Sequence, residues 1–182
     1  MDKLALEERF LLALNKIPKK FFVTSGKGES DVGIHTGSFH LALKDAGIDG
    51  CNIVPYSSML PAICEEVSRP EKLVHGSVLE VVMARADSTR GKRATAGLIF
   101  GWLYEEDKRK GGIVCEYSGN LDPTKASARL QQSLQEVYSS SFPQYKLKNV
   151  RCMVESFVPR KKFGTALVAI CFVEHLIPLL SS

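Results

Sequence analysis

The stretch SVLEVVMARADSTRGKRATAGLIFGWLYEEDKRKGGIVCEYSGN, residues 77–120, contains three consecutive apolar runs that indicate the fold class of this protein. The runs cover residues 77–87, 93–106 and 111–120, and they are rich in β-branched residues and bounded by glycines and charged turns. Runs of this kind predict β-strands. Because their connections are short, we expect the three strands to pair in sequence as an antiparallel meander.

The segments on either side of this stretch add further predicted elements. Residues 122–142 predict a helix that has Asp122 as N-cap, Pro123 at its first position and apolar residues at core spacing. A shorter helix over residues 36–48 has Gly47 as its C-terminal stop. The remaining predictions are a helix over residues 3–15, strands over residues 21–26, 51–56, 148–159 and 163–175, a glycine-rich connection over residues 26–33, and a charged hairpin turn at residues 160–164.

The order of these elements predicts an α+β fold with mainly antiparallel sheets. Several of the strands are apolar on both faces, which is typical of strands covered on two sides. We therefore expect two sheets stacked against each other, with the helices covering their outer faces. The 182 residues are enough for one well-packed domain, so the prediction is a single domain over residues 1–182.

The composition and the charge pattern indicate neither a nucleic-acid partner nor a membrane span. Apolar residues make up 45% of the chain and charged residues 24%, with a net charge of +4, which is an ordinary balance for a globular protein. The positive charge lies in short clusters that are typical of solvated turns, so we expect no nucleic-acid partner. The most apolar segment, near the C-terminus, is interrupted by Glu174, His175 and Pro178 and predicts no membrane span.

The cysteines and histidines indicate neither a disulfide framework nor a metal site. The five cysteines are scattered without C-x-x-C spacing, and an odd number in apolar surroundings is typical of free thiols in a reducing compartment. We therefore expect a cytoplasmic protein. The four histidines lie far apart in the sequence and predict no zinc site.

The segment VPYSSMLP, residues 54–61, places two adjacent serines between two prolines after an apolar strand. The residues alone leave three interpretations open. In the first interpretation, the segment is an ordinary turn, since serine and proline are both common in turns. In the second, one serine is a nucleophile activated by a histidine, although the G-x-S-x-G sequence of a nucleophile elbow is absent.

The third interpretation is that the chain modifies itself at this pair. A serine hydroxyl that attacks the carbonyl carbon of its own preceding peptide bond forms an ester by an N→O acyl shift. Elimination then breaks the ester, and hydrolysis of the resulting dehydroalanine leaves a pyruvoyl group. This chemistry requires a fixed backbone and a donor for the oxyanion, for which the Asn52 amide is a candidate.

This segment closely resembles the self-cleavage site of the pyruvoyl-dependent arginine decarboxylases, in which an asparagine and a short apolar run precede a Ser-Ser or Thr-Ser pair and a proline. The resemblance extends over most of residues 20–175. It includes DAGIDGCNI before the serine pair, HGSVLEVVMA after it, GGIVCEY at the position of the family's catalytic glutamate, and KKFGTALVAICF in the last strand.

The resemblance implies a fold, an assembly and a cofactor. The family fold is a four-layer α/β/β/α sandwich assembled as a homotrimer, with active sites between neighbouring subunits. Cleavage between Ser57 and Ser58 is expected to give a β chain of residues 1–57 and an α chain of residues 58–182. Ser58 would become the covalent pyruvoyl group, which takes the role of pyridoxal phosphate by forming a Schiff base with the substrate amine and withdrawing electrons as CO2 leaves. No metal and no pyridoxal phosphate are expected.

The resemblance also implies roles for individual residues. Asn52 assists cleavage and lines the site, and Ser57 becomes the new carboxyl terminus beside the substrate. Glu116 is expected to protonate the substrate carbon after CO2 leaves, and burial among apolar neighbours would raise its pKa. From the strand pattern alone, an exposed carboxylate at Glu116 is nearly as good an interpretation, and the motif decides between the two.

One position departs from the family pattern. His40 occupies the place of an aspartate that binds the substrate guanidinium, and the resemblance places His40 and Leu43 of this helix at the substrate. A histidine does not provide the bidentate carboxylate that pairs with guanidinium. We expect arginine, converted to agmatine, as the substrate. The alternatives are ornithine or lysine, or an unprocessed homologue that acts as a structural or regulatory subunit.

Overall fold

The computed structural model describes residues 16–32 and 34–177, which form nine strands and two helices. The predicted helix over residues 3–15 lies outside the described residues. The strands are β1 (Ile17–Ser30), β2 (Asn52–Pro55), β3 (Met59–Pro61), β4 (Glu65–Glu66), β5 (Val78–Thr89), β6 (Ala94–Glu105), β7 (Lys108–Gly119), β8 (Lys146–Phe157) and β9 (Phe163–Leu176), and the helices are α1 (His35–Ala46) and α2 (Pro123–Ser141).

The strands form two sheets that stack face to face. One sheet has five strands in the order β2-β5-β9-β1-β4, and the other has four in the order β3-β7-β6-β8. All pairs are antiparallel except β2 with β5 and β1 with β4. Large buried side chains such as Phe21, Phe100 and Phe172 fill the space between the sheets. The predicted pair of stacked sheets is confirmed.

Each helix covers the outer face of one sheet. Ala42 and Leu43 of α1 pack with Phe22 of β1 on the five-stranded sheet. Leu130 and Leu134 of α2 pack against the four-stranded sheet in the same way. The layers therefore follow the order helix, sheet, sheet, helix, and the predicted α+β sandwich is confirmed.

The predicted meander over residues 77–120 is wrong for its first two strands, which do not pair with each other. Strands β6 and β7 pair as an antiparallel hairpin, but β5 pairs with β2 and β9 in the other sheet. The chain crosses between the sheets at the turn around Gly91. Both faces of β5 and β6 are apolar, so these strands bury more surface by stacking face to face than by pairing at their edges.

The predicted hairpin between the last two strands is also wrong. Strand β8 pairs with β6 in the four-stranded sheet, whereas β9 lies between β5 and β1 in the five-stranded sheet. The charged turn at residues 160–162 therefore carries the chain from one sheet to the other.

The glycine-rich segment after residue 26 is strand rather than a connection, because β1 continues to Ser30. A Cβ atom at Gly26 would overlap the carbonyl oxygen of Ala42, and one at Gly28 would overlap the backbone of α1 at Ser38. These glycines allow the helix to lie directly on the strand. The sequence pattern indicated a turn because glycine is common both in turns and where two backbones approach closely.

The predicted ends of both helices are confirmed. Gly47 follows α1 in the left-handed region, with a φ of 71°, and its N–H donates to helix carbonyl groups. Asp122 caps α2 by accepting a hydrogen bond of 3.1 Å from the Lys125 backbone N–H. Neither described helix is long and apolar enough to cross a membrane. All five cysteines are free.

Candidate active site

The Ser57–Ser58 peptide bond lies where the chain passes from one sheet to the other. Strand β2 ends at Pro55 on the edge of the five-stranded sheet, and β3 begins at Met59 on the edge of the four-stranded sheet. Only three residues bridge the two edges. The serine pair is therefore a crossing between layers and not a surface hairpin turn.

Backbone hydrogen bonds anchor this crossing on both sides. The Tyr56 N–H donates to the Val81 carbonyl of β5 at 2.6 Å, and the Val114 N–H of β7 donates to the Ser58 carbonyl at 2.9 Å. Ser57 is the single residue between these two anchors. The backbone around the serine pair is thus held by both sheets.

A backbone donor already contacts the carbonyl group that self-cleavage would attack. The Met59 N–H donates to the Ser57 carbonyl oxygen at 3.0 Å in a three-residue turn. An N→O acyl shift would place negative charge on this oxygen, and a fixed N–H group stabilises such a charge. From the sequence, this donor role was expected of Asn52 and not of Met59.

Glu116 lies on the strand that anchors Ser58. It is two residues beyond Val114 on β7, so the Cα atoms of Val114 and Glu116 are about 7 Å apart. Val114 and Leu98, the register partner of Glu116, belong to the core between the sheets, so alternation directs the Glu116 side chain to that same face. The single chain therefore places Glu116 two residues along β7 from the residue that binds Ser58, on the same face of the strand.

Glu116 also has the electrostatic character expected of a proton donor. Its side chain is exposed in the single chain. Neighbouring protein atoms nevertheless displace part of the water around the carboxyl group, and this partial desolvation raises the pKa of Glu116 above its ordinary value. A carboxyl group with a raised pKa keeps its proton closer to neutral pH.

Asn52 lies at the opposite end of β2 from the serine pair. In an extended strand, the Cα atoms of Asn52 and Pro55 are about 10 Å apart, and Ser57 is two residues further on. The Asn52 side chain donates to the Gly76 carbonyl at 2.8 Å. Within one chain, Asn52 is therefore not in contact with the Ser57–Ser58 bond.

His40 and Leu43 are also separate from Ser58 within one chain. Both lie on α1, which covers β1 and β9 on the outer face of the five-stranded sheet. Leu43 is 7% exposed and packs in that core, whereas His40 is exposed to solvent. The structure thus places these two residues on a layer that does not face the serine pair.

A buried polar cluster behind the serine pair escaped the sequence analysis. Glu80 of β5 is 5% exposed and is surrounded by Tyr56, Lys16 and His175. The signal in the sequence was a single carboxylate within the apolar run VLEVVMA. Charged residues are almost never fully buried without partners, so a glutamate at the centre of such a strand predicts a paired charge.

The described residues contain no group of three or more histidine, cysteine, aspartate or glutamate side chains that could hold a metal ion. Backbone contacts hold residue 58 from its C-terminal side. Strand β3 pairs with β7 through Met59 and Pro61, and Val114 binds the Ser58 carbonyl. These contacts would hold residue 58 in place after a cut on its N-terminal side.

Comparison with known proteins shows a clear relationship. The family model described as pyruvoyl-dependent arginine decarboxylase matches residues 20–176. Pyruvoyl-dependent arginine decarboxylase 2 of Archaeoglobus fulgidus is 34% identical over 163 residues, which cover 86% of this chain and 98% of the relative. Pyruvoyl-dependent arginine decarboxylase 1 of the same organism is 34% identical over 133 residues, covering 69% and 80% of the two chains. Pyruvoyl-dependent arginine decarboxylase 1 of Methanosarcina acetivorans is 39% identical over 108 residues, covering 56% and 61%.

Proposed function

The chain belongs to the pyruvoyl-dependent arginine decarboxylase family, and we propose that it cleaves itself between Ser57 and Ser58 and then decarboxylates arginine to agmatine. The observation that carries this proposal is the geometry of the serine pair. Its attacked carbonyl group has a backbone donor, its second serine is anchored to β7, and Glu116 follows on that strand.

Self-cleavage begins at the Ser58 hydroxyl group. Its Oγ attacks the Ser57 carbonyl carbon, the C–N bond breaks, and the freed amine of Ser58 takes the hydroxyl proton, which leaves an ester. Elimination of the Ser57 carboxylate from Cβ produces dehydroalanine at position 58. Addition of water and loss of ammonia then leave the pyruvoyl group. The Met59 N–H, 3.0 Å from the Ser57 oxygen, supports the first step by stabilising the oxyanion.

The two fragments are expected to remain one domain after the cut. Strands β1 and β2 belong to residues 1–57, and they pair with β9 and β5, which belong to residues 58–182. A single cut at the edge of the sheets leaves these ladders intact. The sandwich therefore holds the new terminus at residue 58 beside Glu116.

In the mature enzyme, the pyruvoyl group supplies a carbonyl that withdraws electrons from the substrate. The residues of the chain supply binding and proton transfer. Glu116, whose pKa is raised by burial, donates a proton to the substrate carbon that has lost CO2. The new carboxylate of Ser57 lies next to this position.

We propose that a neighbouring subunit of a homotrimer completes the site. Asn52, His40 and Leu43 do not reach Ser58 within one chain, so their family roles require a second copy. The sheet edge beside the serine pair is suited to such a contact. The edge strand β2 and its surroundings expose the apolar side chains of Val54, Met59 and Val78.

Val78→Lys should break this assembly. Val78 is 62% exposed beside β2, so lysine is tolerated in a single chain but would bury a charge at a subunit contact. We expect the variant to elute as a monomer of about one third the mass of the wild type, and to lose most of its decarboxylation. Light scattering after size exclusion measures the mass.

Val158→Lys is the matched control, since Val158 is an exposed valine in the loop after β8. It should keep the mass of the wild-type assembly. A wild-type protein that is itself monomeric, or a Val78→Lys variant that stays trimeric, would contradict the proposed interface.

The substrate is proposed from the family, and His40 is the residue that tests it. Wild-type enzyme should release CO2 from arginine faster than from ornithine or lysine. With His40 of a neighbouring subunit at the substrate side chain, His40→Asp should raise kcat/KM for arginine on the order of tenfold, because it adds a charge-assisted pair with the guanidinium group. Gln131→Asp, which adds a carboxylate at an exposed position of the other helix, α2, is the matched control and should leave kcat/KM unchanged.

Release of CO2 from ornithine or lysine but not from arginine would refute the proposed substrate and leave the proposed cleavage standing. A cytoplasmic location is also proposed, because five free thiols suit a reducing compartment.

A further inference from the structure

A second carboxylate, Glu80, lies behind the serine pair in a position that stability alone does not explain. It is one of four buried polar or charged residues in the described part of the chain, and the only one that carries a charge. Removing a carboxylate from water costs several kcal/mol in real proteins, and its ion pairs often do no more than offset that cost. A buried carboxylate in a core strand therefore suggests a specific role.

The partners of Glu80 hold it in the charged form. Lys16 forms an ion pair with one of its oxygens, and Nε2 of His175 lies 2.7 Å from the other. Burial acts to raise the pKa of Glu80, but the hydrogen bonds from Lys16 and Tyr56 and the nearby positive charges outweigh it, so the pKa is lowered. The carboxylate is thus a charged hydrogen-bond acceptor at neutral pH.

Tyr56 connects this carboxylate to the bond that is cut. Phe172, on which the Tyr56 ring packs, is the register partner of Glu80 on β9, so Tyr56 and Glu80 lie on the same face of the five-stranded sheet. Burial, followed by the interaction of the hydroxyl group with Glu80, raises the pKa of Tyr56 to about 12. The hydroxyl therefore keeps its proton and acts as the donor. The Tyr56 ring packs on Phe172 with a centroid separation of 5.6 Å.

Two contacts fix Tyr56, its backbone N–H on Val81 and its ring on Phe172, and they direct its hydroxyl group toward Glu80, the register partner of Phe172. The next residue, Ser57, carries the carbonyl group that is attacked. On the other side, Val114 holds the Ser58 carbonyl. A rotation of Tyr56 would therefore be transmitted directly to the Ser57 carbonyl.

We propose that Glu80 is a positioning residue for self-cleavage: by holding the Tyr56 hydroxyl, it orients the Ser57 carbonyl carbon toward the Ser58 hydroxyl. Lys16 and His175 keep the carboxylate in place. Glu80 does not touch the reacting atoms. This role rests on the proposed self-cleavage and assigns its control to a residue on the neighbouring strand β5.

The test measures the cleavage rate of freshly synthesised chains. Tyr56→Phe and Glu80→Gln are produced by cell-free synthesis, and the intact chain is followed by mass spectrometry. Small misplacements of reacting groups cost as much as 10²-fold in rate, so each variant should cleave on the order of 10- to 100-fold more slowly than wild type. Because both changes remove one shared contact, the double variant should be no slower than the slower single variant.

Tyr138→Phe is the matched control. Its hydroxyl donates to the Tyr145 carbonyl at 2.8 Å, on the far side of the four-stranded sheet. Thermal unfolding should show comparable losses of stability for Tyr56→Phe and Tyr138→Phe, but only Tyr56→Phe should slow cleavage. If Glu80→Gln does not fold, Tyr56→Phe alone decides. Equal slowing in the Tyr138→Phe control would show a general effect of stability and would overturn the proposal.

Hydroxylamine identifies the step that is affected. It cuts an ester by forming a hydroxamate on Ser57, so it releases fragments only when the acyl shift has already occurred. The slow variants should show no acceleration with hydroxylamine. Acceleration would place the defect after the acyl shift and refute the positioning role. Wild-type chains that never cleave would refute the proposed function itself, whereas wild-type rates in both variants would refute only the role of Glu80.

Discussion

Ser58→Ala should remain a single chain of about 20.1 kDa and should lose all pyruvoyl-dependent decarboxylation. Alanine has no hydroxyl group to attack the Ser57 carbonyl, so neither the ester nor the carbonyl cofactor forms. Wild type should instead give two fragments of 57 and 125 residues, with the larger blocked to Edman degradation. Denaturing electrophoresis with intact mass measures both outcomes.

The matched control is Ser68→Ala, which removes an exposed serine hydroxyl in the loop after β4. This variant should cleave and react like wild type. The thermal unfolding of uncleaved Ser58→Ala should show a folded protein, because Ser58 contributes its carbonyl and not its side chain to the anchor on Val114. A Ser58→Ala chain that still cleaves would refute the assignment of the nucleophile.

Glu116→Gln is expected to separate the two reactions of the enzyme. The variant should cleave itself, because the first step depends on Ser58 and on the Met59 N–H. Its decarboxylation should fall on the order of 10²–10⁴-fold, the range for loss of a positioned general acid. Fragment masses report cleavage, and the rate of CO2 release reports catalysis.

The pH dependence provides a second measurement on the same variant. Burial raises the pKa of Glu116, and only its protonated form donates a proton. Wild-type decarboxylation should therefore decline as the pH rises through this raised pKa, and the residual activity of Glu116→Gln should lack that decline. A decline of the same size in the variant would assign the proton to another group.

Glu116→Gln should lower the decarboxylation rate without lowering the unfolding temperature at neutral pH. A carboxyl group whose pKa is raised by folding binds its proton more tightly in the native state, so it favours folding at low pH and opposes it once ionised. Glutamine does not ionise. Glu116→Gln should therefore unfold at the same temperature as wild type or higher at neutral pH. Glu136→Gln, which alters an exposed carboxylate on α2, is the control for both activity and stability.

Local signals in the sequence were sufficient for most elements of secondary structure. The ends of α1 and α2 followed from Gly47, Asp122 and Pro123, since a left-handed glycine and a capping carboxylate act within one helical turn. The stacked sheets followed from strands that are apolar on both faces. Strand pairing did not follow, because β5 and β6 are adjacent in the chain but belong to different sheets.

At the candidate site, too, the sequence indicated individual residues but not their arrangement in space. The serine pair, Asn52 and Glu116 were identified in the sequence through the resemblance to a family. The sequence did not indicate how they are arranged: β7 places Glu116 two residues from Val114, which binds Ser58, while β2 holds Asn52 at its far end. The roles of the Met59 N–H and Glu80 were absent from the sequence analysis, because each depends on a contact with another segment.

The sequence by itself determined the fold class, the family and the two serines at which the chain is proposed to cut. These depend on short-range patterns: periodicity, capping residues and a motif of ten residues. The tertiary structure alone decided that VPYSSMLP is a crossing between two sheets, anchored on Val81 and Val114. Such contacts arise from the packing of strands distant in the chain, and a local pattern carries no information about its distant partner.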